Sequence, residues 1–222
     1  MPKKAGIAMI AMGAVLILSA LLLLRHNLRE DAHAGQEAEN LMAQLQSILE
    51  TKTAPKVFTG PTAETQPGET TAPTQPLDPE MPVTYINGYG YIGYLEIPNL
   101  DLKLPVMADW DYDRLQIAPC RQFGSSRTDD LVIAAHNYDS HFGKFKDLTP
   151  GHYLTFTDMD GIVTTYRVEK NETLQPNAVD AVQNSDYDLV LYTCTKGGQT
   201  RIVLFCNRID KTADANAQAE SK

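Results

Sequence analysis

The clearest hairpin pattern in the chain lies at residues 189–207, which read LVLYTCTKGGQTRIVLFCN. Two runs rich in β-branched, aromatic and other apolar residues, Leu189–Thr193 and Arg201–Asn207, flank a polar segment that contains two glycines. Such residues favour strands, and a Gly-Gly pair between two of these runs is a turn signal. The pattern predicts two strands joined by a turn, with Cys194 ending the first strand and Arg201 opening the second.

Five further segments of similar character are separated by turn residues such as Pro-Asn and Asp-Gly. They are Ile92–Ile97, Leu100–Met107, Leu131–Ala135, Tyr153–Thr157 and Val163–Val168. Short helical turns are expected near Asp109–Ile117 and Phe142–Leu148. Short strands at this density predict an all-β barrel or sandwich over residues 84–210.

Residues 1–27 are predicted to form a cytoplasmic tip and a transmembrane anchor. The run Ala5–Leu24 carries no charge, and about 20 residues at 1.5 Å per residue span a hydrocarbon core of roughly 30 Å. A cleaved signal peptide is the alternative, but its apolar region usually has only about 7–15 residues. Lysines before the run and arginines after it leave a slight charge asymmetry for orientation. We therefore expect a single uncleaved span.

Three other segments outside the predicted barrel differ in composition. Residues 28–50 have apolar residues at helical spacing and predict a juxtamembrane helix. Residues 51–83 are rich in Pro and Thr and contain too little apolar surface to order themselves, so they predict an extended linker. Residues 211–222 are predicted to be a disordered tail.

Charge and cysteine content exclude several classes of protein. The chain has 222 residues, with 19 Lys and Arg against 28 Asp and Glu and a net charge of −9. Nucleic-acid binding depends largely on neutralising phosphates, so an acidic chain without a basic stripe is a poor candidate for it. Three cysteines are too few for a disulfide framework or a four-thiolate zinc site. We expect no nucleic-acid partner, no metal and no cofactor.

One thiol, one imidazole and one guanidinium are each predicted at the end of a strand. His136 follows the apolar run Leu131–Ala135 as Cys194 follows Leu189–Thr193, and the predicted hairpin brings Arg201 near Cys194. A thiolate can attack a carbonyl, an imidazolium can protonate the leaving amine, and a guanidinium can stabilise the developing oxyanion. The three residues together are candidates for nucleophilic acyl transfer.

Each of these residue types also has a purely structural interpretation. A lone cysteine in an apolar strand is usually a small buried hydrophobe, which is the interpretation favoured for Cys120 and Cys206. A single histidine after a strand is often structural, and His141 and His152 are expected at the surface. A shared metal between His136 and His141 lacks a third ligand at a recognisable spacing.

Together these motifs resemble the sortase family, the membrane-anchored cysteine transpeptidases of Gram-positive surfaces. Val190–Cys194 is similar to the family motif Thr-Leu-x-Thr-Cys, with Val190 in place of its first Thr, and Arg201 fits the family's arginine. Ala135 precedes His136 where Gly is more common. The resemblance extends to the opening strands and the post-histidine segment and covers about residues 90–209, through Ile92–Pro98, Leu104–Val106 and Ser140–Leu148.

The resemblance implies a sortase-like closed β-barrel of seven to eight strands with short helices. It also implies that this barrel lies on the outer face of the cell membrane, attached through a single-pass anchor. It implies that Cys194 attacks the Thr–Gly bond of a sorting signal such as Leu-Pro-x-Thr-Gly and forms a thioester, with His136 and Arg201 as its catalytic partners. An amine of a peptidoglycan precursor or a pilin lysine would resolve the thioester. The resemblance also implies substrate-binding roles for Thr193, Asn137 and Leu191.

The class within the family and the alternatives to it stay open. The stretch after His136 is like class B, yet only 57 residues separate His136 from Cys194, which leaves little room for the long helical insertion usual in class B. The short turn before Arg201 suits a compact class such as D. No apolar segment follows Asp210, which favours wall anchoring over pilus assembly. A papain-like peptidase or an L,D-transpeptidase would need motifs that are missing. A tethered binding module and an inactive sortase remain alternatives.

Overall fold

The computed structural model describes residues 3–53 and 77–209 as three α-helices, nine strands and two short 3₁₀ turns. The helices are α1 (Lys3–Thr53), α2 (Tyr112–Leu115) and α3 (Val179–Gln183). The 3₁₀ turns are Pro98–Leu100 and Phe145–Asp147. The strands are β1 (Thr84–Ile86), β2 (Tyr89–Ile97), β3 (Leu102–Met107), β4 (Cys120–Phe123), β5 (Leu131–Ala135), β6 (Tyr153–Asp158), β7 (Val163–Leu174), β8 (Leu189–Cys194) and β9 (Arg201–Arg208).

Eight of the nine strands close into a barrel. The order around it is β2-β3-β4-β5-β8-β9-β7-β6, and β6 pairs with β2 to close the ring. The short strand β1 extends the sheet as a hairpin partner of β2. Two neighbouring pairs are parallel, β3 with β4 and β5 with β8. The prediction of a closed barrel of seven to eight strands is confirmed, and the sandwich alternative is wrong.

Strand β5 lies at the centre of the part of the barrel that carries the candidate residues. All five residues of Leu131–Ala135 are buried, which suits a parallel neighbour of β8 covered on both faces. Leu131 and Ile133 point into the barrel core with Leu191 and Leu204, whereas Val132 packs in an outer cluster with other apolar residues. The continuous apolar run in the sequence therefore reflects burial on both faces of the strand.

The predicted strands all occur, with shifted ends, and the structure adds elements that the sequence did not indicate. Strand β7 runs to Leu174, six residues beyond the predicted end, because its pairing with β9 continues from Tyr166 to Leu174. Strands β1 and β4 and helix α3 were not predicted. Strand β4 has only four residues, and its sequence CRQF lacks alternation of polar and apolar side chains.

Helix α1 is continuous from Lys3 to Thr53. Residues Gly6–Lys52 contain an apolar window with a mean hydropathy of 2.8, and by length and composition this helix could cross a membrane. Its second half packs on the barrel, where buried apolar residues recur at helical spacing. These residues are Ala34, Ala38, Leu41, Met42, Leu45 and Leu49. The helix continues past residue 50, the expected end of the juxtamembrane segment.

Part of the predicted linker is attached to the barrel. Met81 is buried in the barrel core, and the Arg127 guanidinium donates hydrogen bonds to the carbonyl oxygens of Asp78 and Glu80 at 3.1 and 3.2 Å. Ser125 Oγ donates to the Pro79 carbonyl at 2.7 Å. The folded unit therefore begins before residue 84. Residues 54–76 of the predicted linker, and the predicted tail 211–222, lie outside the described residues.

Candidate active site

Cys194 and Arg201 lie opposite each other at the open end of the β8–β9 hairpin. Their Cα atoms are register partners, so their side chains point to the same face of the sheet. The side chain of Cys194 is half-buried, whereas Cys120 and Cys206 are fully buried. Burial raises the pKa of the Cys120 thiol to about 12 and also raises that of Cys206. Cys194 is therefore the one of these three thiols that is partly exposed to solvent.

His136 joins these two residues through the parallel pairing of β5 with β8. Ala135 pairs with Thr193, and both side chains are buried inside the barrel. The next residues, His136 and Cys194, therefore both point outwards at neighbouring strand ends. The strands β5, β8 and β9 place the imidazole, the thiol and the guanidinium in one row at the same end of the barrel.

The loops on both sides of this row are held by hydrogen bonds. Asn137 Nδ2 donates to the Thr195 carbonyl at 3.3 Å and links the segment after His136 to the segment after Cys194. The Arg201 guanidinium donates to the carbonyl oxygens of Gly198 and Thr200, each at 3.0 Å. Gly198 has a φ of 74°, which a glycine adopts without strain. Asn137, predicted to bind substrate, is placed by the structure between two backbone segments.

Two other predicted substrate-binding residues lie inside the barrel. Leu191 is fully buried in the core, and Thr193 is buried with its hydroxyl donating to the Ala135 carbonyl at 2.9 Å. The reason is strand alternation, which points residues 191 and 193 inwards and residues 192 and 194 outwards. The structure thus places both side chains behind Cys194 rather than on the outer face, where they support the ends of β5 and β8.

Burial and aromatic contacts set the environment of the imidazole and of a neighbouring phenol. Burial lowers the pKa of His136, whose ring stacks on Tyr138 with centroids 4.9 Å apart. Burial raises the pKa of Tyr192 to about 12, while the Arg201 charge opposes this shift. The Tyr192 hydroxyl donates to Gln122 Oε1. A lowered pKa leaves His136 mostly neutral near pH 7, so the imidazolium form is a minor one.

A cavity of about 190 Å³ lies over the outer face of the strands beside Arg201. Tyr192 and Val203 line it from the barrel, and α3 and the segment before it cover it with Leu174, Pro176 and Val182. Its lining is largely apolar, with Arg201 and Gln122 among the polar groups. A concave site with apolar side chains and a few polar groups is typical of ligand-binding pockets. The sequence pointed to the segment Glu172–Tyr187 as one that determines substrate selectivity, but it did not predict that this segment contains helix α3 or that Tyr192 lines the cavity.

A second cavity, of about 720 Å³, lies beyond the strand ends. His136, Asn137 and Tyr138 form one wall, and residues 24–31 of α1 form the opposite wall. Lys196 and Gly197 of the β8–β9 turn complete it. Among the described residues, no group of three or more His, Cys, Asp or Glu side chains could hold a metal ion.

His141 is buried, not exposed as expected from the sequence. Its side chain is 0% exposed, and neither ring nitrogen has a hydrogen-bond partner among the described residues. Burial lowers its pKa to about 4, with a further contribution from His136. Its ring contacts that of Tyr138, with centroids 5.5 Å apart, and the loop 137–143 is also held by the hydrogen bonds of Asp31 to Ser140. The polar sequence around His141 gave no signal of this tertiary packing.

Comparison with known proteins identifies one family and one fold. A model of the sortase domain matches residues 95–209, which is more than half of the chain. Sortase A from Corynebacterium diphtheriae is 20% identical with a TM-score of 0.50, and the match covers 59% of this chain and 62% of that one. No curated protein was found to match the sequence.

Two sortases of the C type have similar values. Sortase C1 from Streptococcus agalactiae is 26% identical with a TM-score of 0.48, over 56% of this chain and 70% of that one. Sortase C from Clostridium perfringens, solved with a C-terminal cell wall sorting motif, is 23% identical with a TM-score of 0.48. That match covers 54% of this chain and 71% of the other.

Proposed function

The chain belongs to the sortase family, and we propose that it is a membrane-anchored cysteine transpeptidase acting on C-terminal sorting signals. The proposal assigns nucleophile, acid–base and oxyanion-binding roles to Cys194, His136 and Arg201. The observation that carries it is their placement in one outward-facing row at the ends of β8, β5 and β9. A structural role for each residue alone would not require this row.

The first half of the reaction transfers an acyl group to the enzyme. The Cys194 thiolate attacks the carbonyl carbon of the Thr residue in a signal of the Leu-Pro-x-Thr-Gly type. The C–S bond forms, the Thr–Gly C–N bond breaks, and the His136 imidazolium gives its proton to the leaving amine. The Arg201 guanidinium stabilises the oxyanion of the tetrahedral intermediate. The product is a thioester between Cys194 and the Thr carbonyl.

The second half of the reaction releases the protein onto an amine. The amine nitrogen attacks the thioester carbonyl, His136 accepts the amine proton, and the Cys194 thiolate leaves. The product is a new amide bond, with the enzyme returned to its starting state. The acceptor proposed for this chain is an amine of a peptidoglycan precursor in the cell wall. A pilin lysine as acceptor is the alternative within the same chemistry.

The cavity beside Arg201 fits the acyl donor. Its apolar lining from Leu174, Val182 and Val203 suits the Leu-Pro part of a signal, and Arg201 lies at the end nearest Cys194. We assign the sorting signal to this cavity. None of Thr193, Asn137 and Leu191 lines this donor cavity, and we propose that they hold the strand ends and loops around the row.

The proposed location is the outer face of the cell membrane. The apolar first half of α1 supports a single-pass anchor, and the second half of the same helix packs on the barrel. A catalytic barrel on the outer face meets both surface proteins with sorting signals and wall precursors. We propose a single-pass protein with residues 1–27 as cytoplasmic tip and span.

Intact-mass spectrometry of the detergent-solubilised full chain with a panel of sorting-signal peptides tests the proposal. We expect a mass increase equal to the peptide fragment that ends in Thr, and its removal by hydroxylamine. The adduct should be absent in Cys194→Ala and retained in Cys120→Ala, because Cys120 is buried away from the row. A folded wild-type chain that forms no adduct would favour a tethered binding module, and an adduct on Cys120 would contradict the assigned nucleophile.

A further inference from the structure

The two cavities include different ends of the candidate catalytic row, since Arg201 lines the smaller one and His136 lines the larger one. The smaller one lies over the body of the strands. It is lined by Tyr192, which comes two residues before Cys194, and by Arg201, which pairs with Cys194 across the hairpin. The larger one lies beyond the strand ends and is lined by His136 and by Lys196, which follows Cys194. Cys194 lies between Arg201 and His136 in the row, so an acyl group on its thiol would have one cavity towards each end of the row.

The order of the two half-reactions separates the two cavities by function. After acylation, the donor peptide still occupies the cavity beside Arg201, since its Thr carbonyl is bound to the thiol. The incoming amine must reach the carbonyl and also pass a proton to His136. His136 lies on the wall of the larger cavity and does not line the smaller one. The free approach for the amine is therefore the larger cavity.

The charges around the larger cavity suit a cation. Glu30, Asp31 and Asp139 contribute three carboxylates to its lining, against the single ammonium of Lys196. A primary amine is mostly protonated at neutral pH, and carboxylates raise its local concentration before it loses a proton. Asp31 is engaged with Ser140, whereas the Glu30 side chain is 51% exposed and its carboxylate lies 3.9 Å from Nδ1 of His26, which also lines the cavity.

The position of this cavity along α1 brings it close to a membrane surface. Leu24, the last residue of the uncharged apolar run, and Leu28 belong to its lining. Asp31 lies seven residues past Leu24, which is about 10 Å along a helix at 1.5 Å per residue. Asp31 accepts hydrogen bonds from the Ser140 amide at 2.9 Å and hydroxyl at 2.6 Å, which fixes the helix against the loop after His136.

We propose that the cavity between residues 24–31 of α1 and the His136 loop is the acceptor site, and that it takes a primary amine presented at the membrane surface. This inference rests on the proposed function and concerns its second step. The amine nitrogen forms a C–N bond to the thioester carbonyl, the C–S bond breaks, and one amine proton moves to the imidazole and then to the thiolate. Helix α1 is thereby a wall of the active site as well as an anchor.

The test separates aminolysis from acylation in the full chain in phosphatidylcholine nanodiscs. Acylation is measured as release of the fragment after Thr, and partition as the ratio of amide product to hydrolysed acid with triglycine as the amine. Glu30→Lys reverses one charge of the acceptor cavity, and we expect it to lower the partition ratio by about 5- to 10-fold. The acylation rate, which does not use this cavity, should stay within about twofold.

Two further variants give a steric test and a control. Asn27→Trp fills the cavity from α1 without changing a charge and should lower the partition ratio in the same way. Glu39→Lys makes the same charge change at an exposed position of α1 that does not line the cavity, and should leave both steps unchanged. Normal acylation with an unchanged partition ratio in Glu30→Lys and Asn27→Trp overturns the acceptor site and leaves the proposed function intact.

The source of the amine is tested with the same triglycine either free or coupled to a lipid of the nanodisc. At equal total concentration, the lipid-linked amine should give the higher partition ratio. A higher ratio with the free amine overturns the membrane-surface part of the proposal. A wild-type chain that forms no acyl-enzyme overturns the proposed function together with this inference, so the two failures are distinguishable.

Discussion

His136 is the residue whose protonation decides the proposed chemistry. With reference pKa values of about 8.5 for a thiol and 6.5 for an imidazole, the thiolate–imidazolium form is only on the order of 1% of the pair. Burial lowers the pKa of His136, which makes the thiolate–imidazolium form scarcer still. It also means that the doubly protonated pair replaces this form only at lower pH. The structure therefore favours a slow enzyme whose chemistry depends on a minor protonation state.

The pH profile of kcat/KM should be bell-shaped, with its acid limb below about pH 6.5. The rate rises with pH as the doubly protonated pair loses its first proton, and the lowered pKa of His136 sets that limb. Peptide cleavage by the full chain between pH 4.5 and 10 measures it. An acid limb above 6.5, or a rate independent of pH from about 5 to 9, would contradict the assignment.

His141 should make the fold sensitive to acid. Its pKa is about 4 in the folded chain and about 6.5 when unfolded, so the unfolded state binds the extra proton as the pH falls between these values. Stability is unaffected above 6.5 and falls by on the order of 3 kcal/mol towards pH 4. Asp31 opposes this shift, and His136 adds to it.

Denaturant unfolding of the full chain in detergent, followed by fluorescence of the single tryptophan, measures this effect at pH 7.5 and 5. His141→Leu should lose less stability than the wild type on acidification. Because neither ring nitrogen has a hydrogen-bond partner among the described residues, the leucine variant should be about as stable as the wild type at pH 7.5. Equal losses in both proteins would show that other groups carry the acid sensitivity.

At the residue level, the residues at strand ends in the sequence predicted the catalytic row, but the burial of individual side chains was not predictable. Cys194 and His136 each follow an apolar strand, and the hairpin fixes Arg201 beside the thiol. The burial of Leu191 requires knowing which face of β8 points inwards, and the motif resemblance did not give that. The burial of His141 arises from tertiary packing of the loop 137–143, which the local sequence does not indicate.

At the element level, α1 and the loop after His136 are joined by a compact contact. Asp31 binds Ser140 through its carboxylate, and a Cβ added at Gly35 would lie 3.2 Å from Ser140 Cβ. A small residue at position 35 thus permits the close approach of helix and loop. We expect this contact to hold the loop that follows His136 in place, and so to position the imidazole indirectly.

Asp31→Ala should lower both stability and the acylation rate, whereas Asp31→Asn, which retains an acceptor oxygen, should keep most of each. With Ser140→Ala, a double-mutant cycle should give a coupling free energy of about 1–2 kcal/mol in thermal unfolding. We expect kcat to fall severalfold while KM for the peptide changes little, because the donor cavity is elsewhere. Additive effects of the two alanine variants would contradict the contact.

Another element-level contact attaches residues 78–80 to the barrel through a buried ion pair. Arg127 binds Asp158 at 2.8 Å, with side chains 5% and 1% exposed, and Asp158 also accepts the backbone amides of Asp160 and Ile162. Arg127→Met leaves a buried carboxylate without its cation, which costs about 3–5 kcal/mol.

Denaturant midpoints of the full chain measure the cost of this substitution. The double variant Arg127→Met with Asp158→Asn should be more stable than Arg127→Met alone, since no buried charge is left uncompensated; Asp160, the other carboxylate that Arg127 binds, is half-exposed. The exposed pair of Lys103 with Glu96 is a suitable control, and Lys103→Met should cost less than about 1 kcal/mol. A small loss in Arg127→Met, similar to that of the control, would show that the attachment does not depend on this pair.

The elements that the sequence predicted are those with internal patterns. Apolar β-branched runs gave seven of the eight barrel strands, and the helical spacing over residues 28–50 gave the second half of α1. Strand β4 forms through pairing with its neighbours, since the backbone of Cys120 pairs with that of Met107 in β3 and that of Ala134 in β5. Met81 shows the same limit, because a composition typical of a linker did not indicate one side chain buried in the core.

At the scale of the whole molecule, one helix links the proposed membrane span to the active site. Leu41, Leu45 and Leu49 are buried against the barrel side of the molecule, and each such side chain contributes about 1.5–3 kcal/mol of apolar burial. The barrel is therefore held on α1 by packing and not only by the chain that follows it. The candidate site then has a fixed height above the bilayer.

This height can be measured by energy transfer from a maleimide dye on Cys194 to acceptor lipids in a nanodisc, since the other two thiols are buried. The wild type should show efficient transfer. Inserting 18 helical residues between Arg25 and His26 adds five turns, about 27 Å, and keeps the packing face of α1 in register. The insertion should lower the transfer efficiency and the use of lipid-linked amine, while free amine is still used.

A matched insertion of 18 residues within residues 54–76 separates packing from tethering. If α1 holds the barrel through its packed face, lengthening the chain after the helix leaves the dye at the same height, and energy transfer should not change. If instead the chain that follows α1 alone set the position of the barrel, the insertion within residues 54–76 would also lower the transfer efficiency. The effect of the insertion in α1 would then not be specific to the helix. Leu45 of α1 is 0% exposed, and this packing favours an unchanged energy transfer.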